Sequence, residues 1–184
     1  MKLIKCHTDG ACNPNPGVGG WGVVIDDGID EKYAFGGHDD TTNNQMELEA
    51  AIQALLRTPD KAVIKVYTDS KFVIGGITQW MKSWKKNGWT TSNGKPVKNQ
   101  SYWERLDRAV SKKIGVKWEW VKGHSGDRGN EIADTLAVNG LRKAKGLTAW
   151  SIDEVLSVSQ AKDNPMNPAI SSKALNMLRE TMKS

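Results

Sequence analysis

CHTDGACNPNPGVGGWG, residues 6–22, sets the architecture of the N-terminal part of the chain. A strand-like run begins at Leu3 and ends on Asp9, and a second run begins at Trp21. The Asn-Pro and Gly residues between these runs are typical of a hairpin connection. A carboxylate at a strand end, next to backbone without bulky side chains, is the layout of a site where backbone approaches a ligand. An ordinary Asp-Gly turn is the alternative for that dipeptide taken alone.

The glycines of this stretch also match the nucleotide-binding pattern G-x-G-x-x-G, from Gly17 to Gly22. That motif binds a dinucleotide when it lies between a strand and a helix N-terminus, whereas a strand-like run, WGVVID, follows it here. We therefore expect these glycines to form a tight hairpin and a flat surface that a ligand can approach.

Strand-like and helical runs continue along the chain. The strand-like runs lie at residues 3–8, 21–26, 32–37, 62–68 and 116–122. The helical runs lie at about 46–56, 77–88, 99–113 and 130–146, the first of them opened by the T-x-x-Q capping box of Thr42 and Gln45. Three strands followed by alternating helices and strands predict an α/β domain with a mixed five-stranded sheet flanked by helices.

The chain's 184 residues are about the length of one domain with a short appendage. The composition changes after about Gly146, where a short capped piece at 151–154 precedes a Pro/Asn/Ser-rich stretch and the amphipathic segment KALNMLRETM. We expect a main domain over residues 1–146 and a C-terminal extension, a linker and a terminal helix, over residues 147–184. The terminal apolar stripe of Leu175, Leu178 and Met182 should be buried against the domain or in the groove of a protein partner.

The charge of the chain is concentrated in its middle. The net charge is +5, and residues 80–117 carry ten Lys and Arg against two Asp and Glu. Six of the eight tryptophans lie between Trp80 and Trp120. A charge run alone is typical of a solvated face, but basic charge interleaved with large flat side chains suits phosphates and sugars. The composition therefore favours a nucleic-acid partner.

The two cysteines, Cys6 and Cys12, are too few for a disulfide framework and lack the spacing of a zinc site. No apolar stretch is long enough to span a bilayer, and a strand-like pattern starts directly after the first two residues, without the apolar region of a signal peptide. We therefore expect a cytoplasmic protein with reduced thiols and no membrane association.

Four carboxylates stand at positions where the predicted elements can bring them together. Asp9 and Asp69 follow two strand-like runs, Glu47 lies in the first turns of a helix, and Asp134 lies one turn inside the last helix of the domain. Any one of them alone is typical of a surface residue. Clustered without cations they would repel one another, so the cluster predicts hard divalent ions, Mg²⁺ or Mn²⁺, and metal-assisted phosphodiester hydrolysis.

His124 lies in VKGHSGDRGN, just past the last strand-like run. A histidine in a Gly-rich loop is typically a surface residue. An imidazole beside a metal site can also move protons or help product leave, and the neighbouring glycines permit loop movement. We therefore assign His124 a part in turnover.

Five segments show a resemblance to a known family. They are TDGACNPNPG, TTNNQMELEA, YTDSKFV, WKKNGWTTSNGKPVKNQ and WVKGHSGDRGNEIADTLA. In this order and spacing they closely resemble type 1 ribonuclease H over about residues 1–145. The resemblance implies a ribonuclease H-like fold and a catalytic domain over residues 1–146 that cleaves the RNA strand of RNA–DNA hybrids, leaving 5′-phosphate and 3′-hydroxyl ends. It also implies that two Mg²⁺ ions, replaceable by Mn²⁺, are held by Asp9, Glu47, Asp69 and Asp134, with His124 assisting turnover.

The resemblance further implies which residues contact the hybrid. The contacts to the RNA strand would come from the backbone of Gly10 and Cys12 and the side chains of Asn15, Asn43 and Asn44. The contacts to the DNA strand would come from Trp80 and Trp84 at sugars, Lys85 and Lys86 at phosphates, and Thr42 with Asn99 in a phosphate pocket. Members of the family often carry Arg at two positions where this chain has Asp40 and Gln45, which predicts a weaker pocket.

Two other functions compete with this interpretation. One is a catalytically silent module that binds hybrids, against which the complete carboxylate set argues. The other is a DNA-cutting or strand-transferring enzyme, which would also use clustered acids; the Asn set and the tryptophan-rich segment favour a hybrid instead. We expect a monomer whose partner is an RNA–DNA hybrid. The alternative to packing of the extension's apolar stripe on the domain is a replication or repair protein as a second partner.

Overall fold

The computed structural model describes residues 2–163 and 168–183. The strands are β1 Leu3–Cys12, β2 Gly17–Asp26, β3 Glu31–Thr41, β4 Val63–Thr68 and β5 Gly115–Trp120. The helices are α1 Asn43–Leu56, α2 Lys71–Gly75, α3 Met81–Lys86, α4 Gln100–Ser111, α5 Arg128–Ala144, α6 Ile152–Asp163 and α7 Pro168–Met182. Within the described ranges, no helix combines the length and the apolar character needed to cross a membrane.

The five strands form one sheet in the order β3-β2-β1-β4-β5. Strands β1, β2 and β3 pair antiparallel, whereas β4 lies parallel to both β1 and β5. The predicted mixed five-stranded sheet is therefore confirmed. The parallel part of the sheet brings the carboxyl ends of β1 and β4 to the same edge, which is where ligands of such sheets gather.

The prediction that Asp9 ends its strand is wrong. Strand β1 continues to Cys12, because Asp9 pairs with Gly22 of β2 and Gly10 pairs with Trp21. The parallel pairing of β1 with β4, however, stops at Thr8, the residue before Asp9. Asp9 is thus the first residue of β1 that does not pair with β4, and Asp69 directly follows the last residue of β4.

The glycines of β2 give helix α5 close access to the sheet. A Cβ on Gly20 would lie 2.2 Å from the carbonyl oxygen of Ala137, and one on Gly22 would lie 2.2 Å from that of Ala133. The expected hairpin of glycines is therefore wrong, because Gly19, Gly20 and Gly22 lie inside a paired strand. The flat surface that they form is covered by α5, the helix that carries Asp134.

Two apolar clusters lie on opposite faces of the sheet. Val23 and Ile25 of β2 pack into a cluster with Met46 and Leu48 of α1 and with Trp103 of α4. The intervening Val24 joins a second cluster formed by α5 residues, Ile132 and Leu136 among them, and by the extension. This alternation along β2 is what a strand buried on both faces requires.

The helix predicted at 77–88 is interrupted. A π-helical turn over Gly76–Trp80 joins α2 to α3. Gly76 packs against the indole of Trp103, where an added Cβ would lie 2.0 Å from a ring carbon. This close approach, together with the wider turn, places Trp80 and Trp84 side by side, with ring centroids 6.0 Å apart.

The first part of the extension is a full helix rather than the short capped piece predicted at 151–154. Val155, Val158 and Ala161 of α6 belong to the same buried cluster as Ile132 and Leu136 of α5. Their spacing along α6 defines one apolar face, which explains why the segment is helical against α5. The part of the predicted linker at residues 164–167 lies outside the described residues.

The last helix meets α5 through a different set of residues from the predicted stripe. Leu175 and Met182 remain 49% and 48% exposed, whereas Ala174 and Thr181 are buried. Leu178 is half-buried against the second cluster. The prediction that Leu175 and Met182 are buried against the domain is therefore wrong, and their burial in the groove of a replication or repair protein stays a prediction.

Candidate active site

Gly10 and the start of α1 bring the first two carboxylates together. A Cβ on Gly10 would lie 2.4 Å from the backbone nitrogen of Glu47, so only glycine lets the helix approach β1 this closely. The backbone N–H of Gly10 also donates a hydrogen bond of 2.8 Å to Oδ1 of Asp9. Asp9 and Glu47 are consequently buried side by side at the edge of the sheet.

All four predicted carboxylates line one cleft of about 500 Å³. Carboxylate oxygens of Asp9, Glu47 and Asp69 lie within 4.8 Å of one another. Asp134 belongs to an adjoining group with His124 and Glu131, whose ligand atoms also lie within 4.8 Å of one another. Asp134 and His124 of this group line the same cleft as the first three carboxylates, whereas Glu131 lines a neighbouring pocket.

The electrostatics of the cleft favour bound cations. Burial is the main cause that raises the pKa of Asp9 well above its usual range, and the charges of Glu47, Asp134 and Asp69 add to it. Burial and then the charge of Asp69 raise the pKa of Glu47 to about 8. Burial also raises the pKa of Asp69. Each of these groups favours either a proton or a cation at neutral pH.

The residues present fit a divalent metal. Oε2 of Glu47 is buried and makes no hydrogen bond within the described part of the chain, so this oxygen lacks the partner that a bound ion would supply. Carboxylate oxygens without thiolates are the donors that Mg²⁺ and Mn²⁺ prefer. A metal bound there would satisfy this buried oxygen and offset the repulsion that raises the pKa values.

Several neighbours that the sequence analysis missed hold Asp69. Asn130 hydrogen-bonds the Asp69 carboxylate and opposes the rise of its pKa. The indole N–H of Trp120 donates a hydrogen bond of 2.9 Å to the backbone oxygen of Asp69. Asn130 was detectable, because it lies one turn before Asp134 on the same face of α5. The Trp120 contact depends on strand pairing between β4 and β5, which a local pattern does not show.

Asp134 has an unexpected partner in the extension. Nζ of Lys162 lies 2.5 Å from Oδ2 of Asp134 and 3.1 Å from Oγ1 of Thr135. The sequence analysis missed this ion pair because α6 was not recognised as a long helix packed on α5.

His124 lies at the rim of the cleft in the loop between β5 and α5. Its side chain is exposed, and its backbone adopts a left-handed conformation, with φ of 52°. A ring nitrogen lies within 4.8 Å of carboxylate oxygens of Glu131 and Asp134. The structure therefore places the predicted histidine beside Asp134, where it can reach a proton on a group bound in the cleft.

The residues predicted to meet RNA surround the opening of the cleft. Asn43 and Asn44 line it together with the backbone of Gly10. Oδ1 of Asn15 accepts a hydrogen bond of 3.1 Å from the backbone N–H of Asn43, which ties the β1–β2 turn to α1. The Cys12 thiol donates to the carbonyl oxygen of Pro14, at 3.1 Å, and fixes the same turn.

Gln45 links the two residues of the predicted DNA-phosphate pocket. Its Oε1 accepts from the backbone N–H of Thr42 at 3.2 Å, and its Nε2 donates to Oδ1 of Asn99 at 3.1 Å. The capping box is complete, since the Thr42 hydroxyl accepts from the Gln45 N–H. Gln45 thus holds the pocket's neutral groups together without contributing positive charge.

The tryptophans predicted to meet DNA form one wall of a second groove, of about 440 Å³. Trp84 packs on Trp103 with ring centroids 5.5 Å apart, while Trp80 is exposed beside it. Lys95 and Lys98 also line this groove, and the sequence analysis did not single them out. Their place there follows from the loop folding back between Thr90 and Pro96.

The two lysines predicted to meet phosphates are both exposed on α3. Nζ of Lys85 lies 2.7 Å from Oδ2 of Asp107 on α4. An exposed ion pair of this kind contributes little stability, so the Lys85 ammonium is free to exchange Asp107 for a phosphate. Lys86 extends from the last turn of α3.

Known proteins have sequences similar to this one. The RNase H family model matches residues 1–142. Ribonuclease H of Alcanivorax borkumensis is 54% identical over 147 residues, which cover 79% of this chain and 95% of the relative. Ribonuclease H of Hahella chejuensis is 51% identical over 148 residues, which cover 80% of this chain and 99% of the relative.

Solved structures share the fold. LC9-RNase H1, a type 1 RNase H with the type 2 active-site motif, superposes with a TM-score of 0.72 at 26% identity, covering 89% of this chain and 85% of that chain. LC11-RNase H1 in complex with RNA/DNA hybrid superposes with a TM-score of 0.59 at 22% identity, covering 77% of this chain and 99% of that chain. The resemblance inferred from the five segments is confirmed, and the chain belongs to the RNase H family.

Proposed function

We propose that this ribonuclease H hydrolyses the RNA strand of RNA–DNA hybrids endonucleolytically, with two Mg²⁺ ions held by Asp9, Glu47, Asp69 and Asp134. The observation that carries the proposal is the group of the buried Asp9 and Glu47 with the half-buried Asp69, whose oxygens lie within 4.8 Å of one another. Burial is the main cause that raises the pKa values of all three, and repulsion from neighbouring carboxylates, Asp134 in the case of Asp69, adds to it; a divalent cation would relieve this state.

The positions of the carboxylates suggest which of them would hold each ion. Asp9, Glu47 and Asp69 would together hold one ion, and Asp134 would contribute to holding the second. Such ions would supply activation of water and stabilisation of the charge on the leaving oxygen, and the expected products carry 5′-phosphate and 3′-hydroxyl ends. His124 at the rim takes a proton or eases product release, and its exposed loop position suits that role.

The hybrid is distinguished from other duplexes at the edges of the cleft. Asn15, Asn43 and Asn44 are amide donors and acceptors that can read the 2′-hydroxyl of RNA. The DNA strand is met by the groove of Trp80 and Trp84, by Lys85 and Lys86, and by the pocket of Thr42 and Asn99. The hydrogen-bonded bridge through Gln45 supports the pocket's geometry, while the lack of an Arg there supports a modest affinity for phosphate.

Mn²⁺ replaces Mg²⁺, because both are hard ions that accept oxygen ligands. The enzyme acts as a cytoplasmic monomer; a complete carboxylate set within one chain supports the monomer, and the free thiols of Cys6 and Cys12 suit a reducing compartment.

The experiment compares one labelled sequence as an RNA–DNA hybrid, an RNA duplex and a DNA duplex, each with Mg²⁺ and with chelator. We expect cleavage of the RNA strand of the hybrid alone, and only with metal. Asp9→Asn should nearly abolish cleavage and leave hybrid binding largely intact, because it removes a metal ligand rather than a phosphate contact. Cleavage of the DNA duplex would favour the DNA-cutting alternative, and binding without cleavage by the unaltered protein would favour the silent module.

A further inference from the structure

We propose that Lys162, in the C-terminal extension, is a positioning residue for Asp134 that competes with a divalent ion for this carboxylate. The extension would thereby set the metal concentration that the enzyme needs. The inference rests on the proposed metal-binding role of the four carboxylates. Lys162 lies beyond residues 1–142, the part matched by the family model, so the contact belongs to this chain's own extension.

The contact is built into the packing of α6 on α5. Val155 and Val158 of α6 are buried in the second apolar cluster, and Lys162 follows Val158 by one helical turn. Lys162 consequently lies on the face of α6 that meets α5, where Thr135 accepts a second hydrogen bond from its ammonium at 3.1 Å. Only 20% of the Lys162 side chain and 17% of the Asp134 side chain is exposed.

The ion pair is selective among the carboxylates. Across residues 2–163 and 168–183, Lys162 is the one cationic side chain that forms a salt bridge with any of the four acids, and its partner is Asp134. Asp9, Glu47 and Asp69 face one another without such a partner in the same ranges, and they keep the raised pKa values described above. The extension therefore neutralises one ligand and leaves the other three to the metal.

The charge of Lys162 works against a bound dication. An ammonium 2.5 Å from Oδ2 occupies the space that a metal or its water would take on that oxygen. It also repels positive charge elsewhere in the cleft. Because the lysine stem is flexible, the ammonium can withdraw when metal and hybrid bind, at the cost of the ion pair. The ion pair thus opposes metal binding without preventing it.

Mg²⁺ titration calorimetry on the full-length chain, without substrate, tests the inference. Lys162→Met keeps an apolar stem against α5 but removes the charge, and it should lower the Kd for Mg²⁺ by about twofold to fivefold, the upper part of the range measured for ion pairs at protein surfaces. Lys162→Arg restores the charge and should return the Kd towards the original value. The Mg²⁺ concentration for half-maximal hybrid cleavage should fall by the same factor in Lys162→Met, with the rate at saturating Mg²⁺ unchanged.

Lys145→Met is the matched control. It also removes a lysine that bonds the extension, at the carbonyl oxygen of Thr181, but Lys145 lies eleven residues along α5 from Asp134, about 16 Å away. Its Kd for Mg²⁺ should stay at the original value. If Lys162→Met leaves the Kd for Mg²⁺ unchanged or raises it, while Asp9→Asn weakens Mg²⁺ binding, the role of Lys162 is overturned and the metal site is not. Unweakened binding in Asp9→Asn would instead overturn the metal site on which it rests.

Discussion

Gly10 lies against the backbone of Glu47 so closely that a Cβ would fall 2.4 Å from the Glu47 nitrogen. The two residues come from different elements, β1 and α1, and their contact sets the distance between the Asp9 and Glu47 carboxylates. The glycine that follows Asp9 is therefore required by internal packing, whatever ligand approaches the other side of the strand.

Gly10→Ala should consequently lower both stability and cleavage. The added methyl group meets backbone rather than a flexible side chain, so α1 must move, at a cost of about 1–3 kcal/mol. Glu47 would move with it, and the rate at saturating hybrid should fall. Thermal melting and single-turnover cleavage measure the two effects. Gly115→Ala is the matched control, because no atom lies within 4 Å of its added Cβ; an equal loss there would contradict the packing argument.

The raised pKa values predict how pH affects the metal-free protein. The folded state holds protons on Asp9, Glu47 and Asp69 up to higher pH than the unfolded chain, in which carboxyl groups titrate near pH 4. The folded state thus binds more protons, and these groups make stability fall as pH rises from about 4 towards 8. In chelator, the melting temperature should fall over this range, and the fall should be smaller in Glu47→Gln.

Mg²⁺ should reverse this dependence. Since the metal binds the deprotonated carboxylates, its affinity rises with pH and its binding releases protons. Calorimetry in buffers of different ionisation enthalpy counts these protons at pH 7. A titration that releases none would show that the carboxylates are already ionised in the metal-free protein.

The sequence predicted correctly those features that depend on interactions between residues close together in the chain. The capping box of Thr42 and Gln45 was recognisable because its two hydrogen bonds lie within four residues of each other. The end of β1 was mispredicted because its last residues are held by pairing with β2, which a Pro-Asn-Gly turn signal does not report. The ion pair of Lys162 and Asp134 was missed for a similar reason, because it depends on the packing of two helices.

The basic segment should control the salt dependence of hybrid binding. Replacing both Lys85 and Lys86 with Gln should weaken binding and reduce the slope of log K against log salt by about 0.9 for each phosphate that is no longer neutralised. Asp107→Asn should do the opposite and tighten binding, because it releases the Lys85 ammonium from its ion pair. Lys2→Gln, which removes a lysine paired with Asp27, serves as the control. An unaltered slope in the double variant would place these lysines away from the phosphates.

Arg142 should be the main attachment of the extension. Its buried guanidinium donates to the carbonyl oxygen of Thr148 at 2.7 Å, to Glu180 at 3.0 Å and to the Thr181 hydroxyl at 3.2 Å. It also lies over the ring of Trp150. Arg142→Ala should therefore destabilise the protein by about 2–3 kcal/mol, the loss expected for hydrogen bonds to a charged group. The exposed neighbour Lys143→Ala should leave the melting temperature unchanged.

Ending the chain at Ala149 should lower the melting temperature yet leave a folded hybrid nuclease. The truncation removes Val155 and Val158 of α6 from the second apolar cluster, and it removes the backbone of Trp150 that pairs with the Asn139 amide. The four carboxylates and His124 are all retained, and 147 aligned residues account for 95% of the Alcanivorax borkumensis relative, so we expect the domain to fold without the extension. Thermal melting and the labelled-hybrid assay measure the two outcomes. An unchanged melting temperature would mean that the helix contacts contribute no stability, whereas a folded but inactive protein would make the extension part of the active site and move the proposed domain boundary beyond residue 146.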